Sequence, residues 1–287
     1  MNIKICDYEV INFDNCTLVM SEKGLSTITS PIILQVLEEI RPYVNQNITA
    51  KKLENILESK PLDTGEAIAF LHRCLNIVEC PVSAPYEKII FICDSEIESS
   101  IIDVTRSETK LATTTVAANK LDLEMIKGSR CFVVILQSHY NYHSLKTLYF
   151  NIAKAAPKSA VIVGYYTPDH YCVTQPYSFE TGNPCHFCQA DRLINYETKN
   201  SSKNNWAHLL KFSSEHDYRI PSRTHTTLQK ALAVNLLINR IKLFTTNSNA
   251  KRHQDLVLAL TYINLLTGKI DEEIVSHWVL CQCQRSF

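Results

Sequence analysis

The sequence predicts a two-part chain of mixed α/β class, a small unit of short strands and three helices followed by a larger unit with a parallel sheet and a bound metal. Three observations carry this expectation. The first eighty-odd residues pass from β-rich runs to helical spacing, and two continuous apolar runs flank a helical pattern further on. Two close cysteine pairs then lie roughly ninety residues apart in the C-terminal half.

In the first unit, Ile3 to Ile11 and Thr17 to Met20 are β-rich, Glu22-Lys23-Gly24 is turn chemistry, and Leu25 to Thr29 reads as a third short strand. Ser30-Pro31 starts a helix, with Ser as N-cap and Pro at the first helical position, and puts Ile33, Val36, Leu37 and Ile40 on one face. A second helix follows from Thr49, with Leu53, Ile56 and Leu57 in phase. The third starts after Asp63-Thr64 and turns Ile68, Leu71 and Leu75 inward. Strands followed by three short helices are the outline of a winged helix-turn-helix. Pro81 and Pro85 bracket a stiff break, which divides the chain into residues 1–86 and 87–287.

The second unit differs in kind. Ile89 to Ile92 and Phe132 to Leu136 are apolar throughout, as strands covered on both faces are. Leu145, Leu148, Tyr149 and Ile152 share one helical face before the run Ala160 to Val163, which completes a βαβ unit. A hairpin is expected around Asp169-His170, a polar loop from Thr198 to Asn205 and a long helix from about Leu228 to Phe244. The end reads as two strands, Leu256 to Ile263 and Ile274 to Trp278, joined through a turn at Leu266-Thr267-Gly268.

Cys185 and Cys188, with Cys281 and Cys283, have the spacing of a closed tetrahedral zinc site. Four thiolates leave no open coordination position, so such a metal holds segments together and does not activate water. The competing reading is buried or disulfide-bonded cysteine, and His186 and His277 are substitute ligands. Cys6, Cys16, Cys74, Cys80, Cys93, Cys131 and Cys172 are scattered among apolar neighbours, as free thiols in a reducing compartment are. No secretory signal opens the chain and no apolar run reaches the ~18 residues of a membrane span, so a soluble cytoplasmic protein is expected.

Several chemistries are disfavoured. The turn after Ile89 to Cys93 holds Asp94, Glu96 and Glu98 and no glycine, which is the wrong chemistry for phosphate at a helix start. His139 and His143 sit at a strand-to-helix junction where capping residues are ordinary. The acid pairs Glu38-Glu39 and Glu272-Glu273 diverge on neighbouring faces. Balanced charge, 29 basic against 29 acidic side chains, gives no sign of nucleic acid or anionic membrane. Residues 1 to 85 carry seven basic against eleven acidic side chains, so a DNA-binding role for the winged-helix outline is poor and peptide binding is better.

The stretch Gly182-x-Pro184-Cys185-His186-Phe187-Cys188-x-x-x-Arg192, then Trp206-Ala207-x-Leu209-Leu210, then His277-Trp278-x-x-Cys281-x-Cys283, resembles the McbB family. Members are zinc-containing subunits of synthetases that install thiazole and oxazole rings in microcin-type ribosomal peptides (RiPPs). The resemblance is most specific from about Val161 to Cys283. It implies a winged-helix module that recognises a precursor leader, joined to a degenerate ubiquitin-activating-enzyme-like (ThiF/MoeB-type) body with structural Zn2+ on Cys185, Cys188, Cys281 and Cys283. It also implies a non-catalytic scaffold, homodimeric, working with a YcaO-type ATP-dependent cyclodehydratase and an FMN-dependent dehydrogenase. The leader is expected to add as a strand beside Leu25, Ser26, Thr27, Ile28 and Thr29, with edge hydrogen bonds at Ser26 and Ile28 and a groove wall at Phe70 and Cys74. The alternatives are a ThiF-like adenylating enzyme acting on a peptide or carrier protein, and a winged-helix regulator.

Overall fold

The computed structural model describes residues 2–13, 16–21, 23–79, 85–94, 99–199, 203–246 and 256–284. The expected features at Cys80, the Pro81 break, Glu96, Glu98, Glu22 and part of the polar loop 198–205 lie outside them. By its contacts the chain divides into two compact units, Met1–Ser83 and Ala84–Phe287.

The first unit holds β1 (Asn2–Ile5), β2 (Tyr8–Phe13), β3 (Cys16–Ser21), β4 (Gly24–Ile28), α1 (Pro31–Ile40), β5 (Asn47–Thr49), α2 (Ala50–Glu58), α3 (Thr64–Arg73) and β6 (Val78–Glu79). The run Ile3 to Ile11 is two strands in different sheets. It breaks at Cys6, whose amide donates to the Ile77 carbonyl at 2.8 Å. Before the break β1 pairs with β5 and β6, and after it β2, β3 and β4 form an antiparallel meander. Strands β5 and β6 are too short to show a period, so pattern alone misses them. The three helices begin where capping places them: Ser30 accepts from Ile33 N, Thr49 from Lys52 N and Asp63 from Glu66 N. Their inner faces meet over one core in which Ile5, Leu37, Leu53 and Leu71 are fully buried.

The second unit is built on a seven-stranded sheet of order β13-β12-β11-β10-β9-β7-β8. Strands β7 (Lys88–Cys93), β8 (Ala112–Ala117), β9 (Cys131–Gln137) and β10 (Ala160–Tyr166) are parallel, and β11 (His170–Val173), β12 (Ala259–Asn264) and β13 (Ile270–Ile274) add antiparallel. The central strands bury both faces. Ile90, Val133 and Val161 face α5 (Tyr142–Ala155), α6 (His186–Glu197) and α7 (Asn205–His216); Phe91, Phe132 and Ile162 face α8 (Thr227–Thr246), beside α4 (Ser99–Thr109). Continuous apolar runs follow from that double covering.

Two elements, α4 and β8, escape the sequence pattern because they are rich in threonine and serine. In α4 the buried Thr105 and Thr109 hydroxyls donate to the carbonyls of Ile101 and Thr105, so polar side chains sit in the helix without a desolvation cost. The last strand also differs from expectation. It runs Ile270–Ile274 and ends where Ile274 to Trp278 was expected to begin, because an outer strand exposed on both faces carries Asp271, Glu272 and Glu273 and no alternation. Among the described residues no helix is long and apolar enough to cross a membrane.

Candidate metal centre and sheet-edge site

Cys185 is the N-cap of α6, and its position follows from the loop before it. Gly182 takes φ +63°, a left-handed turn that suits glycine, and its amide bonds the Ser178 carbonyl at 3.0 Å. Asn183 accepts from Ser178 N at 3.1 Å, and Gln175 Nε2 donates to the Pro184 carbonyl at 3.0 Å. One helical turn then brings Cys188 beside Cys185. From the other end, the Cys281 amide bonds the Trp278 carbonyl at 2.9 Å, turning Cys281 inward.

The four sulfurs converge, all lying within 4.8 Å of one another. Cys188 and Cys283 are 3.3 Å apart, Cys185 and Cys281 3.4 Å, and Cys185 and Cys188 3.8 Å. Tetrahedral zinc with Zn–S bonds of about 2.3 Å sets sulfurs about 3.8 Å apart, whereas a disulfide needs about 2.05 Å. The cysteines are free. The cluster is therefore geometrically consistent with a structural Zn2+ site and not with the disulfide reading. Hydrogen bonding from neighbouring thiols lowers Cys188 and brings Cys283 to about 7, while burial raises Cys185. Full ionisation of such a packed quartet calls for a compensating cation.

Neither histidine belongs to the quartet. His186 is buried, with Nε2 2.7 Å from the Tyr140 hydroxyl, and burial pushes its pKa down to about 3. His277 Nδ1 stands 3.8 and 3.9 Å from the Cys283 and Cys188 sulfurs, outside the four-sulfur set. Of the other cysteines, Cys6, Cys93, Cys131 and Cys172 are buried as expected, but Cys16 and Cys74 are exposed.

In the first unit β4 is one of the two outer strands of its sheet, with β2 at the other end. Its span is Gly24–Ile28, so Thr29 follows it. Register fixes which groups face outward. Ser21 pairs with Gly24 across a two-residue turn, which closes on a hydrogen-bonded pair; alternation makes Val19–Ser26 and Thr17–Ile28 hydrogen-bonded pairs too. Ser26 and Ile28 therefore point their amides at β3, and the outward backbone groups belong to Leu25 and Thr27. This corrects the expected edge donors. Leu25 is 63% exposed, whereas the Ile28 side chain enters the core. Lys23 Nζ donates to the Arg73 carbonyl, which ties the β3–β4 turn to the end of α3. Phe70 is half-buried against the core and Cys74 is the exposed C-cap of α3.

A third feature has no sequence signature. The chain runs from β7 to β8 on one side and returns past β7 to β9, so the sheet's topological switch lies between β7 and β9. A cavity of about 890 Å³ opens there, lined by Asp94, Thr115, Asn119, Gln137, His139 and Arg219 among others. The Asp94 carboxylate accepts from Ser138 N at 3.0 Å, Ser138 Oγ at 2.8 Å and His139 N at 3.1 Å, and pairs with Arg219 at 3.6 Å. It is committed to holding the β9–α5 junction, so it is not a free charge repelling phosphate. His139 joins this cluster through Ser138, while His143 Nε2 lies 2.7 Å from the Ser214 carbonyl. Arg219 was invisible in the sequence because only the fold brings it to Asp94.

The fold and the four-sulfur cluster together define a mixed α/β protein carrying a candidate zinc centre. The chain belongs to the family described as microcin B17-processing protein McbB, whose profile it matches over residues 3–285. It is 24% identical to the microcin B17-processing protein McbB of Escherichia coli over 301 residues, covering 98% of this chain and 95% of the relative. Among solved structures, it is similar to a chain of the E. coli microcin synthetase McbBCD complex with pro-MccB17 bound, with TM-score 0.64, 22% identity and coverage of 98% and 99%. It is also similar to a heterocyclase in complex with substrate and cofactor, with TM-score 0.58, 10% identity and coverage of 96% of this chain and 38% of that one.

That last likeness corrects one expectation. The family resemblance implied a non-catalytic scaffold. The same fold occurs within a heterocyclase solved with substrate and cofactor, so the fold does not mark a protein without catalysis.

Proposed function

We propose that this chain serves a synthetase that forms thiazoles and oxazoles in a ribosomal precursor peptide, and that it recognises the leader of that peptide. Residues 1–86 act as a winged-helix-like recognition module, and residues 87–287 as the activating-enzyme-like body stabilised by zinc on Cys185, Cys188, Cys281 and Cys283. Family membership and the likeness to a synthetase chain solved with pro-MccB17 bound support the reading.

The observation that carries it is the open edge of β4. An extended leader adds as a strand by bonding the outward groups of Leu25 and Thr27, and the exposed Leu25 side chain offers an apolar contact. Phe70 and Cys74 form the facing wall on α3. Holding the leader raises the local concentration of the core peptide for partner enzymes, a YcaO-type cyclodehydratase and an FMN-dependent dehydrogenase. Two copies associate through the body, in the cytoplasm. The test is fluorescence anisotropy with the labelled leader of the cognate precursor, with pro-MccB17 leader in parallel. Thr27→Pro removes one outward donor at an edge where proline is tolerated, and should weaken binding at least about tenfold. Equal affinity in the variant would reject the edge.

A second reading, adenylation of a peptide or carrier protein, is favoured by the cavity at the switch between β7 and β9. With Asp94 neutralised by Arg219 and two backbone amides, the main electrostatic objection to a nucleotide there weakens. Peptide-dependent exchange of pyrophosphate into ATP by the purified chain would support this reading. Exchange seen only when a partner enzyme is added would reject it.

A further inference from the structure

On the opposite side of the switch point lies a second cavity, of about 630 Å³, between α4, α8 and the ends of β9 and β10. This is the size of a small-molecule site, which spans roughly 300–1,000 Å³. Its inner wall is apolar, with Ile101 from α4, Leu136 from β9 and Leu237 from α8, while Val104 of α4 lines it from an exposed helix face. Gly164 forms part of the floor. A Cβ there would collide with the Tyr171 hydroxyl and approach Leu136 Cδ2 to 2.9 Å, so the tyrosine packs directly over a bare strand backbone.

The mouth has the opposite character. Arg223 and Lys230 stand at the rim with the Thr224 and Thr227 side chains, at the start of the twenty-residue helix α8. Among the described residues neither cation makes an ion pair. His225 is only 9% exposed, its ring stacked on Tyr166 at 4.1 Å between centroids. Among the described residues its Nδ1 has no hydrogen-bond partner, while Nε2 lies 3.5 Å from the Ser222 hydroxyl. The sole acid among the described lining residues is Asp94, already committed to Ser138, His139 and Arg219. The site thus joins an apolar interior to two unpaired cations, a helix N-terminus and a buried ring nitrogen.

We propose that this cavity binds an apolar group ending in a single carboxylate. Apolar atoms gain by leaving water for the inner wall, and the planar guanidinium of Arg223 matches two carboxylate oxygens. The positive end of α8 and Lys230 add to the attraction, and the carboxylate gives the His225 Nδ1 an oxygen within its own cavity. A phosphate suits the site less well, because among the described lining residues Gly164 is the only glycine and it lies in a strand, not in a loop whose amides form a nest. A peptide C-terminus with a large apolar residue and a free medium-chain acid share the proposed chemistry. This proposal is independent of leader binding at β4.

The experiment is calorimetry on the full zinc-loaded chain with four probes: decanoate, decanamide, N-acetyl-leucyl-phenylalanine and its C-terminal amide. At least one acid should bind at a single site, about tenfold or more tighter than its uncharged amide. Whichever acid binds identifies the source. The Arg223→Gln, Lys230→Gln variant should abolish the preference for acid over amide. Val104→Trp, on an exposed helix face, should fill the cavity and block both forms while the urea midpoint stays unchanged. Acid and amide binding equally, absence of saturable binding by either acid, or affinity untouched by both variants would overturn the proposal.

Discussion

The sulfurs of Cys188 and Cys283 lie 3.3 Å apart although 95 residues separate them along the chain. Val279 and Leu280 are 81% and 68% exposed, so these two apolar side chains do not hold the loop. The segment is fastened by the buried Val275 and Cys281, by Trp278 packed edge-on against Tyr196, and by Arg192 hydrogen bonds to Ser276.

It follows that the purified chain should carry one zinc per protomer, and that the Cys185→Ala, Cys281→Ala variant should lose it. Structural zinc contributes on the order of 10 kcal/mol to small zinc folds, so the variant should be less stable by at least about 3 kcal/mol. Metal analysis by plasma emission, paired with urea unfolding, checks both. Full zinc retention would exclude these ligands.

Asp94→Ala should cost about 1–3 kcal/mol, because it leaves the Ser138 and His139 amides without their acceptor at a half-buried junction. Arg219→Ala should cost less than about 1 kcal/mol, since the guanidinium is exposed, 3.6 Å from Asp94 and 3.3 Å from His139 Nδ1. Urea unfolding of the two variants separates a hydrogen-bonding role for Asp94 from a purely ionic one, which would make the two losses equal.

Gly164→Ala should destabilise the second unit by about 1–3 kcal/mol, because the new methyl meets the Tyr171 hydroxyl and the Leu136 side chain. Tyr171→Phe in the same chain should recover part of that loss. Additive losses in the double-mutant cycle would place the clash elsewhere.

Burial, then the charges of Arg223 and Lys230, lower the His225 pKa below its ordinary value. The unfolded chain therefore binds a proton more readily than the folded one, and stability rises with pH across that interval. Between about pH 7 and about pH 5 the wild type should lose stability as pH falls. His225→Phe should lose less over the same range by urea midpoint. An identical pH dependence would show that His225 titrates as it does in the unfolded chain.

The zinc quartet was legible because a turn with two thiolates is a local pattern, and the three helices of the first unit because Ser30, Thr49 and Asp63 mark their starts. Other features depend on relations that no local pattern encodes. The outward direction of Leu25 and Thr27 is set by how Ser21 and Gly24 close the hairpin, which places the edge donors one residue away from Ser26 and Ile28. The Asp94–Arg219 pair and the Gly164–Tyr171 contact exist only once the sheet is assembled. Helix α4 and strand β8 were hidden by threonines that satisfy themselves on the backbone.

Leader recognition at the β4 edge is tested most directly by residue-resolved amide hydrogen exchange on the full chain, free and saturated with its precursor leader. The outward amides of Leu25 and Thr27 should slow markedly on binding, by about tenfold or more, while those of Ser26 and Ile28, already bonded to β3, should change little. Bound leader with no protection at Leu25 and Thr27, or protection confined to residues 88–284, would contradict it.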